Sequence, residues 1–152
     1  MPMEIRRLGP SDVAILEGLA ADDADFDIDG REGEEVRLSA EDLRAYLSDP
    51  TVLHWVAFDG EVALGFLHCQ TIRKYGGQPM ELMLYEIGVR ARARRQGVGR
   101  ALLAVMTAWM KEHGVVEVWV LGDNPGAVAF YKACGFEGHA PGDAVYLTRD
   151  LA

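Results

Sequence analysis

The segment Arg94-Arg95-Gln96-Gly97-Val98-Gly99-Arg100 sets two glycines among three arginines, directly ahead of a long run with helical apolar spacing. Where such a segment joins a strand to a helix, the first-turn N–H groups have no intrahelical partner and the positive end of the helix dipole adds to them. Such a place binds an anion, a phosphate above all. The glycines let the backbone approach that anion without a Cβ in the way. The spacing is neither the Gly, four residues, Gly-Lys-Ser/Thr of a nucleoside-triphosphate loop nor the dinucleotide Gly-x-Gly-x-x-Gly. Taken alone, Arg-x-x-Gly-x-Gly also fits a tight turn with solvated arginines. Upstream, Glu86 is a carboxylate that either takes a proton, pairs with an arginine or binds and orients a substrate. Downstream, Tyr131 is either a proton donor or a core tyrosine with a bonded hydroxyl.

These groups need a scaffold, and the chain supplies one as alternating strands and helices. Met3 to Leu8 reads as a first strand, followed by a helix with Ser11 as N-cap and Val13, Leu16 and Leu19 on one face. Asp22 to Glu35 carries eight acidic residues and two glycines, which reads as a mobile surface loop. Ser39 with Asp42 resembles a capping box for a short helix ending near Asp49-Pro50. Thr51 to Phe58 and Glu61 to Gln70 read as strands joined by the hairpin signal Asp59-Gly60, and Met80 to Val89 as a further, central strand. Gly97 to His113 has Leu102, Val105, Met106, Trp109 and Met110 on one helical face, with Gly114 as the stop. Val115 to Leu121 reads as a buried strand, Asn124-Pro125 as the cap and first residue of a helix ending at Gly135, and Val145 to Leu151 as a closing strand.

At 152 residues and 49% hydrophobic content the chain suits a single domain spanning residues 1–152 with one core. No window approaches the roughly 20 apolar residues of a membrane span, and the first residues lack a secretory pattern, so we expect a soluble, cytosolic protein with no membrane association. A net charge of −9 disfavours nucleic acid and favours a cationic partner. The isolated Cys69 and Cys134 read as reduced core residues, and His54, His68, His113 and His139 show no metal-ligand spacing, so no metal is expected.

Two ordered motifs then point to a family. Glu86-Ile87-Gly88-Val89, a short basic linker, and Arg94-x-x-Gly97-x-Gly99-x-Ala101-Leu102-Leu103 resemble the acetyl-CoA pyrophosphate motif of the GNAT acetyltransferases. Asn124-x-x-Ala127-x-x-Phe130-Tyr131-x-x-x-Gly135-Phe136 is similar to the helix that follows it in that superfamily. The resemblance implies an α/β fold with a mixed, mostly antiparallel sheet of six to seven strands. About four helices would lie on both faces, with Met80 to Val89 and Val115 to Leu121 splayed to admit acetyl-CoA. It implies a cosubstrate site at Ile87, Gly88, Val89, Arg94, Arg95, Gln96, Gly97, Val98, Gly99, Arg100, Asn124, Ala127, Phe130 and Tyr131. Across Leu47 to Leu103, Asp59-Gly60-Glu61-Val62, Arg73-Lys74-Tyr75 and Tyr85-Glu86-Ile87-Gly88-Val89 resemble the aminoglycoside 3-N-acetyltransferases, whereas Leu121 to Gly126 is shorter than in that subfamily and has Asn124 in place of an acid.

An alkylamine near a lysine's value of about 10.4 is protonated at neutral pH and must lose that proton before it attacks a thioester. The resemblance gives this task to Glu86, directly or through a water, and gives Tyr131 the proton for the leaving thiolate. It assigns the developing oxyanion to a backbone N–H between Ile87 and Val89. Cys69 and Cys134 lack the surroundings of an activated thiolate, which favours direct transfer in a ternary complex. Asp25, Asp27, Asp29, Glu32 and Asp143 either form an anionic wall for a cationic amine or are solvated acids. The same motifs also fit acetylation of another small or protein amine, or a non-catalytic acetyl-CoA-binding module. Homodimers are common by resemblance.

Overall fold

The computed structural model describes residues 2–26, 37–138 and 147–151. The chain forms two compact units, Met1–Leu121 and Gly122–Ala152. The first unit carries a five-stranded sheet in the order β1 (Glu4–Arg7), β2 (Val52–Asp59), β3 (Val62–Arg73), β4 (Met80–Val89) and β5 (Val118–Trp119). Pairings are antiparallel from β1 to β4 and parallel between β4 and β5. Five strands are found among the described residues, against the six to seven expected. The expected closing strand lies partly outside those residues, and 147–151 form no strand.

Helices α1 (Val13–Ala21), α2 (Asp23–Phe26) and α3 (Ala40–Ser48) cover one face, burying Val13, Leu16, Leu19, Phe26 and Leu47 against Val56. Helix α4 (Val98–His113) covers the other face, because a Cβ on Gly65 would meet Val98 and Leu102 whereas the adjacent Phe66 packs with Phe26. Leu53, Leu67, Leu82, Leu84 and Leu102 are almost fully buried. Burial of each such leucine contributes roughly 1.5–3 kcal/mol.

Local signals set several boundaries. The hairpin between β2 and β3 turns at Gly60 and Glu61, one residue later than the expected Asp59-Gly60, because Asp59 stays in the ladder opposite Val62 and Gly60 takes φ +60°. The Ser39 hydroxyl accepts from the Asp42 N–H at 3.1 Å and starts α3, and Gly114 at φ +68° ends α4.

Other expectations are corrected. Ser11 does not cap α1; it lies in a 3₁₀ turn, Pro10–Asp12, closed by the Asp12 carboxylate accepting from the Gly9 N–H at 2.8 Å. The carboxylate reaches back to a free turn donor where the shorter hydroxyl does not. The acidic loop opens as helix α2, because burying Phe26 in the core outweighs the like charges around it, so five α-helices are found among the described residues where about four were expected. Residues 27–36 lie outside the described residues, Asp27, Asp29 and Glu32 among them. The strand expected over Val115 to Leu121 contracts to Val118–Trp119, because among the described residues only Leu82 and Met83 pair with it.

The second unit contains α5 (Pro125–Ala133), which the Asn124 side chain caps by accepting from the Ala127 N–H at 2.7 Å. Tyr131 is buried there, packed between the rings of Phe130 and Phe136 at 5.7 and 5.5 Å. Asp143 and His139 lie outside the described residues. No helix among the described residues is long and apolar enough to cross a membrane.

Candidate active site

Glu86 owes its place to an irregularity in β4. Cys69 pairs with Leu84 but His68 pairs with Glu86, so Tyr85 is an extra residue on the β4 side of the ladder. Such a bulge bends its strand and re-aims the side chains beyond it. Leu82 and Leu84 alternate onto the α4 face and are buried there; strict alternation would have sent Glu86 to the same face. The extra residue reverses the parity, and Glu86 instead shares the α1–α3 face with His68, its direct cross-strand neighbour. Gly88 follows on that face, with Phe66 so close that a Cβ would lie 2.5 Å from its ring.

Three polar side chains consequently line up across the sheet. His54 on β2 pairs with His68 on β3, which pairs with Glu86 on β4. The imidazoles stack with centroids 6.0 Å apart, and Tyr46 of α3 stands edge-on to His68 at 5.0 Å while its hydroxyl lies 2.8 Å from His54 Nδ1. His54 is buried, and its Nε2 has no hydrogen-bond partner among the described residues. Burial, helped by His68, drives its pKa down to about 3, so the ring is neutral. Burial also pushes the Tyr46 phenol far above its ordinary range, and the nearby Glu86 charge pushes it further. Reading the sequence for metal spacing misses this row, because its signal is a pairing register and not a local motif.

The segment after β4 has the geometry of an anion cradle. Arg95 takes φ +64° and Gly97 φ +82°, and no side chain among the described residues caps the start of α4. The first intrahelical bond runs from the Ala101 N–H to the Gly97 carbonyl at 3.0 Å, so the N–H groups of Val98, Gly99 and Arg100 precede it. Arg95, Gln96, Gly97 and Arg100 are exposed, and space around Gly97 is open. Gly65 beneath brings the helix end close: its absent Cβ would lie 2.9 Å from both the Gly88 carbonyl oxygen and Val98 Cγ1. Nothing in the sequence around Gly65 signals that role.

The arginines divide their labour. Arg90 bonds the Ala63 carbonyl, pairs with Asp22 and Asp25 at 3.3 and 2.9 Å, and covers the Phe26 ring at 4.6 Å. Arg94 donates to the Val89 carbonyl at 3.1 Å and to the Asp25 carbonyl at 3.5 Å, tying the turn to the end of β4. Asp25 is thereby held against the scaffold. Arg95 and Arg100 remain turned to solvent beside the helix start.

On its other edge β4 pairs with β5 only at Leu82–Val118 and Met83–Trp119, and no strand pairs with it beyond Met83 among the described residues. Cys69 is fully buried and its thiol is pushed up to about 12 by that burial, which suits a core residue and not a nucleophile. Among the described residues no three or more His, Cys, Asp or Glu side chains group as metal ligands. A groove of about 420 Å³ between α1 and the β2–β3 hairpin includes neither Glu86 nor any residue of the turn in its lining.

The chain is similar to known acetyltransferases. N-acetyltransferase 8B of Rattus norvegicus is 29% identical over 101 residues, covering 64% of this chain and 45% of that protein. Mycothiol acetyltransferase of Geodermatophilus obscurus is 33% identical over 109 residues, covering 67% of this chain and 35% of that one. The chain thus spans less than half the length of either relative. Among solved structures, the aminoglycoside acetyltransferase meta-AAC0020 from an uncultured soil metagenomic sample, in complex with sisomicin, superposes with TM-score 0.86 at 20% identity over 99% of this chain and 97% of that one. Aminoglycoside N-acetyltransferase AAC(6')-Iy in complex with CoA gives TM-score 0.74 at 20% identity over 99% and 96%. Residues 17–136 match the acetyltransferase (GNAT) family, and the chain belongs to that family.

Proposed function

We propose that this chain transfers the acetyl group of acetyl-CoA to an amine of an aminoglycoside, by direct attack in a ternary complex. The observation that carries the reading is the strand, turn and helix from β4 to α4. It joins a bulge-directed carboxylate, Glu86, to an uncapped helix start with the open Gly97 and the exposed Arg95 and Arg100. Those residues fit a pyrophosphate: first-turn N–H groups, helix dipole and two arginines converge without a side chain in the way. Arg94 holds the turn in place, and Gln96, with its amide donating to the Arg92 carbonyl at 3.1 Å, stiffens it.

The chemistry then divides among a few groups. Glu86 takes the amine's proton, directly or through a water, and the freed lone pair attacks the thioester carbon. A backbone N–H between Ile87 and Val89 stabilises the oxyanion. By the family resemblance, Tyr131 is the proton donor to the sulfur that departs as the C–S bond breaks, and Asn124, Ala127 and Phe130 are cosubstrate-binding residues. Asp27, Asp29, Glu32 and Asp143 are the acids offered to a polycationic acceptor, whereas the Asp25 carboxylate is taken by Arg90.

The acceptor class is supported by the Leu47 to Leu103 resemblance, the net charge of −9 and the sisomicin complex of meta-AAC0020. The resemblance favours the 3-amine, while the neighbour AAC(6')-Ih is a 6'-N-acetyltransferase. The test mixes the chain, acetyl-CoA and an aminoglycoside panel including sisomicin and gentamicin, following free CoA thiol, product mass and the acetylated position by NMR. Acetylation at the 3-amine is the expected result. Acetylation at the 6'-amine would correct the position; measurable acetyl-CoA binding with no turnover on any member would overturn the acceptor class.

A further inference from the structure

A chain of hydrogen bonds behind the polar row fixes the state of one of its members. The Asp49 carboxylate accepts from the Thr51 hydroxyl at 2.7 Å and from the Thr51 N–H at 2.8 Å. These bonds hold its carboxyl below the ordinary range, so it is ionised and can only accept. With its proton committed to Asp49, the Thr51 hydroxyl must accept from the Gln70 amide, whose nitrogen lies 2.8 Å away. That orients Gln70 with its oxygen toward His68, where Oε1 stands 3.1 Å from Nε2. An amide oxygen cannot donate, so in the neutral ring the His68 proton sits on Nε2 and Nδ1 is the accepting nitrogen.

The ring is held neutral by its surroundings. Burial drives its pKa down, partly opposed by the bond to Gln70. The groups around it are Tyr46 from α3, His54 from β2, and Tyr85 and Glu86 from β4, Tyr85 lying with its ring 5.0 Å away. The bulge matters again, since the extra Tyr85 and Glu86 both oppose His68.

We propose that His68 is a positioning residue for amine deprotonation: the Asp49–Thr51–Gln70 chain sets its tautomer, and its Nδ1 accepts from the water that passes the amine's proton to Glu86. The step balances. The ammonium N–H bond breaks as its proton joins the water oxygen, the water gives another proton to the Glu86 carboxylate, and the amine keeps its electron pair. Nδ1 gains no proton; it orients the water. This inference rests on the reading of Glu86 as the base.

Two measurements test it. In the full chain, a long-range 1H–15N spectrum of the histidine rings should show His68 as the neutral Nε2–H tautomer at pH 7, and that preference should be lost in Gln70→Leu. An Nδ1–H tautomer or a charged ring would overturn the proposal without any substrate present. For function, an asparagine amide falls where Nδ1 lies and a glutamine amide where Nε2 lies. With sisomicin and acetyl-CoA, His68→Gln should lower kcat about tenfold and His68→Asn should recover most of that loss, with the acetyl-CoA KM unchanged in both. Equal kcat in the two variants overturns the positioning role. Glu86→Gln measured alongside separates the failures: if it alone turns over normally, the base assignment falls and this inference with it. If Glu86→Gln is slow but the two His68 variants are alike, only the inference falls.

Discussion

The turn ahead of α4 takes its geometry from residues adjacent in sequence, while the row His54, His68 and Glu86 is drawn from three strands and depends on the register between them. In the turn, two left-handed residues and an uncapped helix start suffice to expose donors. In the row, one extra residue, Tyr85, decides which face of the sheet receives the carboxylate. Cosubstrate binding is therefore assigned to a local motif and proton handling to a tertiary one. The two should fail in different ways when altered.

The largest effect is expected in the row. Glu86→Gln keeps the side chain's shape and removes its basicity, so kcat should fall about 10²-fold while the acetyl-CoA KM stays near its original value. Steady-state kinetics at varied acetyl-CoA separates these; a rise in KM with kcat intact would place Glu86 in binding. The turn should show the opposite pattern. At φ +82° a valine in place of Gly97 is strained by about 1–3 kcal/mol, so the turn must rearrange. Gly97→Val should weaken acetyl-CoA binding about tenfold by calorimetry, with a smaller change in kcat. Unchanged affinity would show that the donors of α4 do not hold the pyrophosphate.

A further contrast concerns stability and not turnover. His54 has a folded pKa of about 3 against an ordinary value of 6.5. Above 6.5 both folded and unfolded forms are neutral and the group contributes no pH dependence. As pH falls below 6.5 only the unfolded chain binds the proton, so stability declines by up to about 1.4 kcal/mol per pH unit until the folded ring also titrates near 3. His54→Leu should flatten the fall of Tm between pH 6.5 and 4. An unaltered slope would mean that the ring is hydrated in the native state.

Much of the frame was legible beforehand because its signals are local. The β2–β3 hairpin, the Ser39 and Asn124 caps, the full extent of β4 and the apolar face of α4 all follow from residues within a few positions of one another. Charge read without tertiary context misled at α2, where the buried Phe26 and the pairs from Arg90 to Asp22 and Asp25 order a stretch that looked too acidic to fold. Apolar content misled at β5, since a strand extends only as far as a neighbour offers it hydrogen bonds.

By itself the sequence carried the two motifs by which the chain resembles its family and the turn ahead of α4, because glycine conformations, capping and helical periodicity are encoded over a few residues. Only the tertiary structure decided which face Glu86 occupies, which arginines are committed to the scaffold, that Gly65 seats the start of α4, and that His54 and His68 stand in line with Glu86. Those features depend on strand register, and a shift of one residue in register moves every following side chain to the opposite face of the sheet.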